Sequence, residues 1–394
     1  MGRLVASKAK DWYDPAGSEP ALASVRSGSA TLACVPWQAL EAEVSAWDKL
    51  ALDAAEPNPF FESWYLLPSL RHLPETEHVR FLRFEHDGLL AGLMPVVRDW
   101  RYYGRPLPNM ASWLHPNCFC GVPLVARGSE AAFWRALLDW ADREAGAALF
   151  LHLRGIVLGG PLHAALQAVA ELQGRQVALV HDEARAMLAS DLSPDAYLEA
   201  SLTGKKRKEL RRQASRLADE GAVRFERRSG QADLDAWCDA FLDLERKGWK
   251  GNAGSALACS DATAALFRES LRGAAERGRL ERLALLLDDQ RIAMLVTFLT
   301  APGAYSFKTA FDENYARFSP GVLLQRENLA VLERPEIAWT DSCAASDHPM
   351  IDHLWRERRH VGRLSVAIGG RARRAAFRLL ARAETGRRSP GPTL

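Results

Sequence analysis

Long apolar runs are the first thing this chain lacks. None of its 394 residues fall in a window of about 18 uninterrupted apolar side chains, so no membrane-spanning helix is expected. Cysteine is sparse. The six thiols, Cys34, Cys118, Cys120, Cys238, Cys259 and Cys343, have no disulfide-framework spacing. His115, Cys118 and Cys120 are too few and too tightly spaced for a zinc site, so no metal centre is expected. The opening residues, MGRLVASKAKDWYDP, contain no apolar core of signal-peptide length, which points to a cytoplasmic protein with reduced thiols. Nor is there a large excess of one charge, since the formal net charge is +2. What is present is the make-up of a globular protein, 48% hydrophobic and 25% charged, long enough for two cores.

The most informative stretch lies between Leu283 and Ala344. LALLL (Leu283 to Leu287), IAMLVTFL (Ile292 to Leu299) and AYSFKTAF (Ala304 to Phe311) read as short antiparallel strands, separated by turns at Asp288-Asp289-Gln290 and Ala301-Pro302-Gly303. The loop DENYARFSPG then leads at once into VLLQRENLAVLE, where Val322, Leu323, Leu324, Leu329 and Leu332 fit one helical face. A helix opened by Ser-Pro-Gly offers free N–H groups and a positive dipole end, which suit a phosphate or pyrophosphate. The strand IAWTDSCA follows, with Asp341 near its end.

About 200 residues earlier, VRFLRFEHDGLLAGLMPVVRDW has the same strand, tight turn, strand plan, and it too is followed by a helix (Ala131 to Glu144) and a strand (Ala148 to Gly155). A duplicated fold is the economical reading, with coincidence of common elements as the alternative. The expected division is an extension over 1–30, a first half over 31–188, a second half over 189–370 and a basic tail over 371–394. Ser193 before Pro194 marks a helix start just after the junction.

These residues resemble the GNAT acyltransferase superfamily, specifically its FemAB-like branch and the CelD-like acetyltransferase domain. Four segments carry the resemblance: NPFFESWYL (Asn58 to Leu66), KKRKELRRQASRLADEG (Lys205 to Gly221), GWKGNAGSA (Gly248 to Ala256), and YSFKTAFDENYARFSPGVLL with DSCAASDHPMIDHLWRERR behind it. The resemblance implies an α/β (α+β) fold of tandem GNAT-like domains, each a mixed, mostly antiparallel sheet flanked by helices. It also implies acyl-CoA as co-substrate, with no prosthetic group, and an amine as acceptor. The phosphate loop departs from the usual Arg/Gln-x-x-Gly-x-Gly/Ala pattern. Arg317, Phe318, Ser319, Pro320, Gly321 and Val322 stand in its place as candidate carrier-binding residues.

Acyl transfer to an amine needs a held carrier, a donor near the developing oxyanion and a route for the amine proton. Lys308, mid-strand before the phosphate loop, is a candidate site cation or a solvated edge lysine. Asp312 is a candidate for handling the amine or a plain turn residue, and Tyr315 a proton donor or an aromatic staple. Asp341 and Ser342 sit where an α/β sheet presents ligand-binding groups, or cap the next loop. His115 is a candidate base or a buried structural histidine, and Trp249 and Lys250 flank an acceptor cleft or form a turn. His348, Asp352 and His353 match the family pattern and are expected to fix the C-terminal helix. The basic helix beginning at Lys205 has an apolar side, so a docked helix with a charged outer face, or one meeting CoA phosphates, is favoured over a nucleic-acid surface.

Charge is segregated at the C-terminus, with eleven arginines against two glutamates from Arg356 onward. In GGRARRAAFRLLARAE, Ala375, Phe377, Leu379 and Leu380 lie among arginines, as in an amphipathic helix on an anionic membrane, or in a solvated tail. The resulting expectation is an acyl-CoA-dependent N-acyltransferase acting at the inner face of the cytoplasmic membrane on an envelope lipid or saccharide amine. The most specific acceptor suggested by the resemblance is the sphingoid base of a bacterial ceramide synthase. The alternatives are acetylation of an exopolysaccharide or nucleotide amino sugar, and a GNAT scaffold without catalysis.

Overall fold

The computed structural model of the protein describes residues 29–346, 348 and 350–386. Its first half runs β1 (Ala30–Pro36), α1 (Val44–Asp53), α2 (Ser63–His72), β2 (Arg80–His86), β3 (Leu89–Asp99), β4 (Asn109–Ser112), β5 (Leu124–Val125), α3 (Glu130–Glu144), β6 (Phe150–Val157), α4 (Pro161–Leu172) and β7 (Val177–Leu188). After α5 (Pro194–Ser201) and α6 (Gly204–Ala218) the plan repeats. It passes through β8 (Val223–Ser229), α7 (Leu234–Lys247), α8 (Trp249–Asn252), α9 (Asp261–Glu276), β9 (Leu280–Leu287), β10 (Gln290–Thr300), β11 (Gly303–Phe311), α10 (Pro320–Asn328), β12 (Trp339–Asp341), β13 (Glu357–Ala367) and α11 (Arg371–Thr385).

The expected meander is present as β9 to β11, and its first hairpin turns at Asp288, whose φ of 52° is left-handed. The equivalent hairpin of the first half turns at Asp87-Gly88, both left-handed, the backbone twist that closes a short antiparallel hairpin. The helix after the Ser-Pro-Gly loop begins at Pro320, two residues earlier than the apolar face suggested, and tightens to a 3-10 turn over Leu329–Glu333.

One mixed sheet contains every described strand, in the order β1-β2-β3-β4-β6-β13-β7-β12-β11-β10-β9-β8, with β5 on β3. The halves exchange their returning strands. β6 of the first half pairs with β13 of the second, β12 of the second pairs with β7 of the first, and β13 and β7 lie side by side. Helices cover both faces, so the central strands are apolar on both sides. In β9, Leu283, Leu285 and Leu287 enter one core and Leu280, Ala284 and Leu286 the other, the period-two alternation of a strand. The fold is thus a mixed α/β arrangement of two similar halves, as the sequence implied, fused through the exchanged strands.

The tail corrects one expectation. α11 lies on the end of the sheet, where Phe377 and Ala381, each 2% exposed, pack with Tyr102, Phe150, Ala178 and Ala367. Arg374 pairs with Asp142 at 2.8 Å, and Leu379 alone of the large apolar side chains stays outside, 67% exposed. The apolar face assigned to a membrane is therefore covered by the protein's own strands, because burial against a neighbouring sheet end satisfies the same amphipathic pattern. Residues 387–394 of the expected tail lie outside the described residues. No described helix is long and apolar enough to cross a membrane.

Phe377→Ala should lower unfolding free energy by about 3 kcal/mol, the usual loss for a buried phenylalanine. Urea denaturation followed by tryptophan fluorescence measures it. A helix serving only a membrane surface would leave the midpoint where it was.

Candidate active site

The sheet opens beside β11 for local reasons. β11 and β12 pair in parallel only through Gly303↔Trp339, Ala304↔Thr340 and Tyr305↔Asp341, and then part. On one side the register between β10 and β11 shifts at Phe307, a bulge that bends β11. On the other, Asp341 Oδ1 accepts the Cys343 N–H at 2.8 Å and Ser342 Oγ accepts the Ala344 N–H at 3.2 Å. These two side-chain turns, with Cys343 at a φ of 53°, swing the chain off its neighbour. The resulting wedge holds a cavity of about 690 Å³.

Its walls are mainly apolar: Phe119, Phe307, Phe311, Pro320, Val322, Met350 and Ile351. Lys308 is a half-buried cation among them. Its Nζ lies 5.3 Å from the Phe119 ring centroid and 5.7 Å from that of Phe307. No carboxylate pairs with it among the described residues. Burial pushes its pKa down to about 8, Lys250 adds to the fall, and Glu245 opposes it. Lys250 is itself committed, donating to the buried Glu245 at 2.9 Å and to the Thr309 carbonyl at 3.0 Å. Ser306 lines the same wall, and its hydroxyl is buried with no partner among the described residues.

The helix α10 closes one end. Ser319 is left-handed, Pro320 occupies the first helical position, and the Ser319 carbonyl takes the N–H groups of Val322 and Leu323. Neither the Gly321 N–H nor the Ser319 hydroxyl has an internal partner among the described residues. Glycine matters at 321 because a Cβ there would stand 2.5 Å from Met350 Sδ and 3.4 Å from Phe311.

Lys308, Trp249, Lys250, Ser319, Pro320, Gly321, Val322 and Ser342 are thus brought to one cavity. The other candidates are placed differently. His115 is half-buried outside the cavity lining, stacked on Tyr65 with centroids 5.9 Å apart, and desolvation together with Lys308 lowers its pKa to about 3. Asp312 caps the turn before α10, accepting the Asn314 N–H at 2.9 Å. Tyr315 packs against the core on the α10 side, where Phe318 is buried. Arg317 pairs with Glu220 at 2.9 Å and covers the Phe318 ring, so its charge is already matched. Asp341 is buried and faces Arg359 at 3.3 Å. None of these six lines the cavity.

Several cavity residues were not singled out in the sequence, among them Phe119, Ser306, Gln325 and Cys343. Phe119 comes from the first half, within the polar-aromatic cluster where only His115 drew notice. Ser306 lies two residues before Lys308, across the bulge at Phe307, which the sequence did not announce. Gln325 is buried on α10, and Cys343 is buried at the turn. His348, expected to fix the C-terminal helix, instead lines the cavity, and burial and Lys250 lower its pKa.

A sheet splayed after a parallel pair, a bulged strand and a helix opening at the splay together frame the cavity. Residues 204–348 match the family model described as an acetyltransferase (GNAT) domain. Over the whole fold it is similar to FemX, a FemAB-like protein, with a TM-score of 0.53 at 11% identity, covering 86% of this chain and 98% of that one. A conserved protein of unknown function from Bacteroides thetaiotaomicron is similar at a TM-score of 0.54 and 12% identity, covering 82% of this chain and 97% of that one. At such identities the likeness is one of fold. No curated protein sequence matches the chain significantly.

Gly321→Leu should fill the mouth of the cavity and weaken binding of a CoA thioester by about tenfold or more, since it blocks approach to the helix N-terminus. Calorimetric titration reads this, with the thermal midpoint confirming the fold. Unchanged affinity in the folded variant would remove α10 from the carrier site.

Proposed function

We propose that the protein is an N-acyltransferase that moves an acyl group from a CoA thioester to the amine of a cell-envelope lipid or saccharide. The observation that carries the proposal is the Lys308 ammonium, half-hidden between Phe119 and Phe307 in the wall of the wedge. The amine nitrogen attacks the thioester carbonyl carbon, the C–S bond breaks, and an amide and free CoA result. The proton lost by the amine needs an acceptor. A lysine whose pKa is near 8 is partly neutral at physiological pH and can take that proton, then return it to the departing thiolate. In this reading the Gly321 N–H and the Ser319 hydroxyl would serve the carrier's phosphates, and Ser306 the carbonyl oxygen or the incoming amine.

The size and lining of the cavity favour an acyl group longer than acetyl. About 690 Å³ bordered by aromatic and aliphatic side chains gains little from two carbons, whereas each buried methylene contributes about 0.8 kcal/mol. A sphingoid base is the acceptor we favour, since its amine is delivered on an apolar chain that the same wedge can cover. Association with an anionic membrane at the inner face of the cytoplasmic membrane would bring such an acceptor to the site. The exposed arginines of α11, rather than its buried apolar face, are the groups available for that contact.

If neutral Lys308 is the proton acceptor, kcat at saturating substrates should rise with pH through about 8 and then level. Lys308→Arg, which keeps the charge but cannot deprotonate, should lose about 10²-fold or more in kcat. A rate that instead falls above pH 8 and survives in the arginine variant would make Lys308 a cation for the oxyanion. A rise complete below pH 6.5 would assign the proton to His348.

A further inference from the structure

The bulge in β11 gives the wedge two unlike faces. Ala304 belongs to the same core as Leu323 and Leu324 of α10, and the strand pairs regularly from Ala304 to Ser306, so Ser306 points to the α10 side. Past the register shift, Phe307 belongs to the opposite core, and Lys308 lies against Phe307 and Phe119. The cation therefore occupies one wall and the serine the other.

Gln325 joins Ser306 on the α10 side. It stands one helical turn beyond Gly321, on the same side of α10, and lines the cavity while only 1% exposed. Asn328, equally buried, donates from Nδ2 to Gln325 Oε1 at 3.3 Å, which turns the Gln325 NH2 group away from Asn328. That NH2 group has no hydrogen-bond partner among the described residues, and neither does the Ser306 hydroxyl, on a residue only 4% exposed. Two buried polar groups thus stand among aromatic and aliphatic walls with hydrogen-bonding capacity unused. Leaving such groups unpaired is unfavourable, and a ligand that pairs them removes the cost.

Their chemistry narrows the ligand. The Gln325 NH2 can only donate, whereas the Ser306 hydroxyl donates one hydrogen bond and accepts two. A ligand hydroxyl meets both: its oxygen accepts from Gln325 and its O–H donates to Ser306, which keeps its own O–H for the thioester carbonyl. An unsubstituted alkyl chain meets neither. Ser306 and Lys308 are two residues apart on one strand, at most roughly 7 Å along its length, so the hydroxyl lies within a few carbons of the reacting centre.

We propose that Gln325 and Ser306 select a substrate with a hydroxyl close to the bond being formed, carried either at the 3-position of the acyl chain or on the carbon beside the one bearing the acceptor amine. The assignment rests on the N-acyltransferase reading of the wedge. It makes Gln325 a specificity residue, separate from the proton transfer given to Lys308.

The test is calorimetric titration of the full chain in two arms. The first compares octanoyl-CoA with 3-hydroxyoctanoyl-CoA, and the second, with the thioether octyl-CoA already bound, compares 1-aminodecane with 2-amino-1-decanol. In one arm the hydroxylated ligand should bind the wild type about tenfold or more tightly than its plain counterpart, and that arm identifies the source of the hydroxyl. Gln325→Met, which keeps the length and removes the amide, should bring the ratio close to one, and Ser306→Ala should lower it as well. Thermal midpoints check that both variants fold, and Ser306→Ala decides alone if Gln325→Met does not. No preference in either arm, or a preference that survives the folded variants, would overturn the hydroxyl assignment, while binding of octanoyl-CoA would leave the acyltransferase reading standing. Equal weakening of octanoyl-CoA, 3-hydroxyoctanoyl-CoA and CoA itself in Gln325→Met would give the amide to the carrier and also overturn it. Absence of binding of any CoA thioester by the wild type would overturn both.

Discussion

Arg359 lies buried where the two halves meet, its guanidinium 3.9 Å from the Trp339 ring centroid, 5.4 Å from that of Tyr305 and 3.3 Å from the Asp341 carboxylate. Burial alone would lower its pKa, but Tyr305 and Asp341 hold it well above the ordinary arginine range. The strand that carries it, β13, is hydrogen-bonded to both β6 and β7. A charge so deep in the protein is tolerable only while its partners stay in place, because removing one member of a buried pair leaves the other uncompensated. Arg359 therefore fixes Asp341, Asp341 fixes the turn at Cys343, and that turn leads the chain beyond β12 away from β11. The cavity is held open by electrostatics and hydrogen bonds outside it.

The duplicated framework does not give two equal sites. In the first half β4 and β6 also pair briefly in parallel, at Met110↔Leu151 and Ala111↔His152. There the space beyond is closed: Arg154 Nε donates to the Ser112 carbonyl at 2.9 Å, and the Gly121 N–H reaches the Gly155 carbonyl at 2.8 Å. A Cβ on Gly121 would lie 1.9 Å from the Arg154 carbonyl oxygen, so only glycine permits this closure. The loop that fills the first wedge goes on to supply Phe119 to the second. The first half thus helps to wall the cavity of the second, and the exchanged strands fix their relative position.

Local patterns were readable in the sequence and long-range partners were not. β9, β10 and β11 announced themselves by apolar runs broken at turn residues, and Pro320 after Ser319 marked the start of α10. Lys308 stood out because a lysine in an apolar strand needs a reason. The exchange of β7 and β13 left no such trace, since each reads as an ordinary strand whichever neighbour it takes. Asp341 looked like a ligand-binding carboxylate because nothing nearby in the sequence identifies Arg359, eighteen residues later, as its partner. The helix α11 was misassigned for a related reason: periodicity reports that a face is apolar and says nothing about what covers it.

The most direct measurement of the central claim is a crystal structure with a non-hydrolysable thioether analogue of a long-chain acyl-CoA. The expected result is the thioether sulfur in the wedge between Ser306 and Ser342, the acyl chain along Phe119 and Phe307, and Lys308 Nζ facing the reacting carbon. An analogue lying instead in the open groove of about 620 Å³ between α2 and α9, with the wedge unchanged, would contradict it.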